Sequence, residues 1–141
     1  MPIPNREEID VFGTLDERVA CKHFLGKTVD EAFDLFMENA LHYQEDLMFM
    51  GTVGFQFYVP ALVRYIDLEV GDADAVNCFV GLLEHRLSYD PQSVLGVASL
   101  LAPACRSILT RYEDYDVTAE AYGDLRSRYR AVISRLESPA A

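Results

Sequence analysis

The segment Thr28-Val29-Asp30-Glu31 opens a run in which Val29, Ala32, Phe33, Phe36, Met37, Ala40 and Leu41 recur at i, i+3, i+4, i+7, i+8, i+11 and i+12. That spacing puts every one of them on a single stripe of an α-helix, so the chain must bury one side of a helix here. The start is marked as well. A Thr28 hydroxyl can accept from the amide three residues on while Glu31 reaches back to the Thr28 amide, and the acids favour the positive end of the helix dipole. The pattern predicts a helix from Val29 to about Tyr43. A second box, Thr14-Leu15-Asp16-Glu17, predicts a helix from Leu15 to about Phe24, with Gly26 just past its end. Asn5 with Glu8 repeats the motif more weakly, for a short helix from about Arg6 to Phe12 ended by Gly13.

Further along, Asp72 is placed to cap a helix from Ala73 to about Ser88, with Val76, Phe79, Val80, Leu83 and Leu87 on its buried face. Asp90-Pro91 sets a cap before a proline at the first helical position. The helix it opens, to about Tyr112, is apolar around much of its circumference, which suits the middle of a bundle. Pro103 should kink it and free the carbonyl of Ser99. A last helix from about Ala119 to Leu136, capped by Thr118 or Asp116, presents Tyr122, Leu125, Tyr129, Val132, Ile133 and Leu136, with Arg126 and Arg130 along one edge of that stripe and Arg128 and Arg135 along the other. Between Leu47 and Leu68 the punctuation by Gly51, Gly54 and Pro60 divides the reading. Two short helices, Thr52 to Tyr58 and Pro60 to Leu68, broken at Val59, are one solution. A hairpin pairing Leu47 to Met50 with Phe55 to Val59 is the other.

The expected architecture is therefore all-α: a compact single-domain bundle of six to seven helices with a kinked central apolar helix, and loose tails at about 1–4 and 137–141. A chain of 141 residues, half of them apolar, is long enough to bury roughly 70% of its unfolded surface without a metal or disulfide staple. The Thr-x-Asp-Glu boxes do not extend into a longer repeat. Val94 to Cys105, the longest nearly apolar stretch, has 12 residues and contains Pro103, against the ~20 that a membrane span needs. Acids near the N-terminus replace the basic start of a secretion signal, and Cys21, Cys78 and Cys105 form no Cys-x-x-Cys pair. Three lone thiols suit a reducing cytoplasm, and 10 Arg against 2 Lys fit a GC-rich bacterial genome.

Charge narrows the function. The net charge is −11, and residues 91–141 contribute none of it, with 6 basic and 6 acidic side chains. Such acidity argues against nucleic acid, whose phosphates draw clustered Lys and Arg, and favours a basic protein partner. Asp30, Glu31, Asp34, Glu38 and Glu45, with Asp46 beside them, follow the outer face of the third helix, and these six are the expected partner-binding residues. His42 lies in the same ridge, so Glu38, His42 and Glu45 are the candidate metal ligands, against the plainer reading of a solvated acidic face.

Other chemistry finds no pattern. A di-iron bundle needs Glu three residues before His, and those positions hold Ala20, Asn39 and Leu82. Gly26-Lys27-Thr28 lacks the earlier glycine of a phosphate loop, where Cys21 stands. Cys21 and His23 are two apart and do not face each other on a helix. No catalytic residues and no cofactor are expected. The aromatic segment Met48 to Tyr58 with Tyr65 serves either as core or as partner anchors. The reading is a non-catalytic module that offers an acidic surface to a basic protein, in the manner of an immunity protein or antitoxin. A small-molecule or metal-binding regulatory domain, or an enzyme without a motif, with a pocket near His42, is the alternative. A third is self-association, in which these acids meet the Arg126 to Arg135 edge of the same chain or of a symmetric mate.

Overall fold

A computed structural model describes residues 1–68 and 72–138, and all regular structure among them is helical. Contacts divide the chain into two units, Met1–Tyr65 and Ile66–Ala141.

In the first unit, helix α1 is Arg6–Ile9, α2 is Leu15–Phe24, α3 is Val29–Phe49, and α4, Thr52–Leu68, begins here and ends in the second unit. All three capping boxes form as expected, on Asn5 and Glu8, Thr14 and Glu17, and Thr28 and Glu31. Helix α1 stops three residues short of Phe12. Three competing bonds take the backbone away: the Gly13 amide donates to Asp10 at 2.8 Å, with Gly13 at φ +73°, and the Val11 and Phe12 amides donate to the Glu17 carboxylate at 2.8 and 3.1 Å. Glu17 is thus a cap for its own helix and a clamp on the preceding loop. Burial works to raise its pKa, but the bonds from Thr14, Val11 and Phe12 outweigh it and hold the carboxyl below the usual 4.5.

Helix α3 runs on to Phe49, six residues beyond the expected end, with Asn39 at φ −160°, ψ 85° interrupting it. The Asn39 side chain accepts from the His42 amide at 3.1 Å, so it acts as a cap inside the helix and starts the second half afresh. The buried stripe is narrower than the periodicity predicts. Ala32, Phe33, Phe36 and Ala40 are buried, whereas Met37 and Leu41, on either side of Asn39, are each 46% exposed.

The hairpin alternative for residues 47–59 is excluded, and so is the break at Val59: α4 is one helix with Pro60 inside it. Phe55, Phe57, Tyr58 and Tyr65 are buried core residues. Phe24 joins the elements, its ring 5.9 Å from Phe36 and 5.0 Å from Tyr58. The Tyr58 hydroxyl sits 2.8 Å from the carbonyls of both Phe24 and Lys27, where its proton fastens the end of α2. Before α4, the Gly51 amide donates to the Ile9 carbonyl at 2.8 Å. A Cβ on Gly51 would lie 2.5 Å from Val11 Cγ2 and 2.6 Å from the Glu8 carbonyl oxygen, so this close approach requires glycine.

The second unit contains α5, Ala73–Tyr89; α6, Pro91–Leu95; α7, Ala98–Thr110; a 3-10 turn, Tyr112–Tyr115; α8, Ala119–Tyr122; and α9, Leu125–Glu137. Helices α5 and α7 both pack on α9. The expected central helix is split in two. Its break falls at Gly96-Val97, where Val97 takes φ −121°, ψ 27°, and Pro103 lies within the continuous α7. Proline is tolerated there because Ser99, Pro103, Arg106 and Thr110 form the exposed stripe of α7, and water can reach the freed Ser99 carbonyl. The expected last helix is likewise divided, at Gly123 with φ +73°. Thr118 caps α8, and Asp124 caps α9 by accepting from the Ser127 amide at 3.1 Å. These breaks are why the described residues contain nine α-helices, several of one turn, where six to seven were expected.

The α9 stripe of Leu125, Tyr129, Val132, Ile133 and Leu136 is buried as read, while Tyr122 is only half-buried. Tyr129 donates its hydroxyl to the Val76 carbonyl at 2.5 Å, which locks α9 to α5. Arg86 is fully buried, a place where a charge survives only with partners. Its Nε donates to Ser93 Oγ at 2.9 Å and its Nη2 to Asp90 at 3.1 Å, so the guanidinium ties α5 to the start of α6. In place of capping α6, the Asp90 carboxylate accepts from Arg86. Glu137 ends α9 in a pair with Arg106, and of the tail expected to be loose, residues 139–141 lie outside the described residues.

Candidate functional site on helix α3

The six acids singled out from the sequence divide into groups with different surroundings. Asp30 is exposed and pairs with Arg64 at 2.8 Å, and that guanidinium also lies 4.0 Å over the Phe33 ring. Glu31 is committed to its capping box, where bonds from Thr28 hold its carboxyl below the usual range. Asp34, Glu38 and Glu45 are exposed and enter no hydrogen bond or ion pair among the described residues. Asp46 stands apart from the ridge: it is buried, and its Oδ2 lies 2.6 Å from His23 Nδ1. Asp46 lies on the edge of α3 that meets α2, where it reaches His23.

A second group of residues assembles around this pair. His23 on α2 and His42 and Tyr43 on α3 lie mutually close, with ring centroids 5.3 Å apart for His23 and His42, 5.2 Å for His23 and Tyr43, and 4.8 Å for His42 and Tyr43. Burial pushes the Asp46 carboxyl above its ordinary range, and the bond from His23 draws it partly back. The bond also fixes the His23 ring, leaving Nε2 as its second nitrogen. His23 was missed in the sequence because 23 residues separate it from Asp46, and no periodicity within one helix links them.

The metal triad Glu38, His42 and Glu45 does not assemble: among the described residues, no three His, Cys, Asp or Glu side chains come together as a ligand set. Cys21 and Cys105 are buried, and burial raises both thiols, Cys105 to about 12, which makes them poor nucleophiles. In the second unit a shallow cleft of about 350 Å³ lies between α5 and α9, lined by Glu84, Leu87, Ser88, Ala131, Val132 and Arg135. Two of the arginines that flank the α9 stripe are engaged in ion pairs. Arg128 forks onto Glu84 at 2.5 to 3.2 Å, and Arg126 meets Glu113 at 2.6 Å while lying over Tyr112.

No described helix is long and apolar enough to cross a membrane. No protein-family model, curated protein or solved structure matches the chain.

Proposed function

We propose that the exposed face of α3 is a docking surface for a basic protein partner, and that the chain acts by binding and not by catalysis, as an immunity protein or antitoxin does. Acids alone would be an ordinary solvated face. What supports more than that is the exposure of Met37 and Leu41, two large apolar side chains one turn apart, on the same stretch of helix as Asp34, Glu38 and Glu45. Protein interfaces combine apolar anchors with a charged rim. The rim here has one sign, which speeds encounter with a cationic surface and makes the association weaken with salt. Glu31 and Asp30 add little, because one serves the helix end and the other is partly neutralised by Arg64. Asp46 is left to His23.

The test is capture from native cell extract at low salt by the tagged protein and by its Asp34→Lys/Glu38→Lys/Glu45→Lys variant. The expected result is a stoichiometric basic protein held by the unaltered chain, released by salt, and absent from the variant. Equal retention by both chains would remove this face from the account.

A further inference from the structure

Not all of the first unit's exposed charge is acidic. We infer that the outer face of α2 in one copy of the chain docks on the outer face of α3 in a second copy, so that self-association covers the α3 surface when no other partner holds it. This pairing rests on the reading of α3 as a contact face and names a further occupant for it. Helix α2 buries Glu17, Ala20, Cys21 and Phe24. At about 100° per residue, Leu15, Arg18, Val19 and Lys22 fall on the opposite side of the helix. All four are exposed, and neither cation enters an ion pair among the described residues. On α3, Asp34, Met37, Glu38 and Leu41 are exposed at the same i, i+3, i+4, i+7 spacing with the roles exchanged, two acids standing where α2 has two cations. Within each helix the like charges are four residues apart, Arg18 with Lys22 and Asp34 with Glu38, where they repel until opposite charge is brought to them. Going round each helix in the same sense, the cations of α2 precede its apolar pair, whereas the acids of α3 follow Met37. Laid face to face with the helices running the same way, apolar side meets apolar side and the cationic edge follows the acidic edge. Other arginines of a second copy are less free to serve, since Arg64, Arg126 and Arg128 already hold Asp30, Glu113 and Glu84.

Sedimentation equilibrium of the purified full chain tests this at about 0.15 M salt, where a Debye length of about 8 Å screens the long-range repulsion between two acidic chains and spares contacts at hydrogen-bond distance. The unaltered chain should associate reversibly as its concentration rises. Arg18→Glu/Lys22→Glu and Asp34→Lys/Glu38→Lys change only exposed side chains, should keep the parent's helical circular dichroism, and should each associate at least about tenfold more weakly. Mixed one to one, the two variants should regain association, because the reversed α2 of one then meets the reversed α3 of the other. Arg130→Glu/Arg135→Glu, on α9, should leave association unchanged. An unaltered chain that stays monomeric, a reversal variant that associates like the parent, or a mixture that stays monomeric would each overturn the inference. A monomeric chain that still captures a basic protein would overturn it and leave the docking surface in place, whereas a self-associating chain that captures nothing would do the reverse.

Discussion

The two units carry nearly equal charge and spend it differently. Met1–Tyr65 holds 11 acidic and 5 basic side chains, net −6, and Ile66–Ala141 holds 12 and 7, net −5. In the second unit, Arg86, Arg106, Arg111, Arg126 and Arg128 each meet a carboxylate. In the first, ion pairs among the described residues take only Asp30 and Asp46, while Glu8, Glu17 and Glu31 cap helices. Of the remainder, Asp34, Glu38 and Glu45 face solvent on the helix that exposes Met37 and Leu41. Net charge therefore says little about what a partner would meet. What matters is how many carboxylates the fold has already used.

This contrast can be broken at several points. The largest effect should come from the buried cation of the second unit: Arg86→Ala removes the guanidinium on which Ser93 and Asp90 converge and should cost about 3–5 kcal/mol in chemical denaturation. In the first unit, Gly51→Ala forces a methyl against the Glu8 carbonyl and Val11, with an expected loss of about 1–3 kcal/mol by the same measurement.

Glu17→Gln should cost about 2 kcal/mol at neutral pH, since it discharges the acceptor of several backbone bonds. The pH dependence has a definite sign. A carboxyl held below its usual value in the folded chain contributes stability that is complete above 4.5 and is lost as pH falls through the folded pKa. The variant should therefore show a flatter stability profile below pH 4.5 than the unaltered chain, and an equally steep one would remove Glu17 from this role. The smallest effect belongs to Arg128→Ala. Both partners of that pair are more than a third exposed, so thermal unfolding should register under about 1 kcal/mol.

The helices that were legible in the sequence were those with local caps. Thr14, Thr28 and Asp72 each mark a start that the structure keeps, because the capping side chain and the amide that donates to it lie three residues apart and need nothing distant. Errors arose where a tertiary contact or a permissive residue changed the local answer. Gly96 and Gly123 divide helices whose apolar periodicity reads through, and α4 continues through Pro60 where the local rule expects a break at Val59. Asn39 had no distinguishing signal in the α3 pattern, yet its side chain accepts from the His42 amide and interrupts the helix there. The His23, His42 and Asp46 group was unreadable because it depends on two helices meeting.

If acids and apolar side chains on α3 act as one surface, a variant that leaves every charge in place must still lose the partner. Met37→Ser/Leu41→Ser should keep the helical content and stability of the parent, because both side chains are already exposed, and should lose capture of the basic partner from native extract even at low salt. Capture at undiminished yield would contradict the account and reduce the acidic ridge to a solvated face.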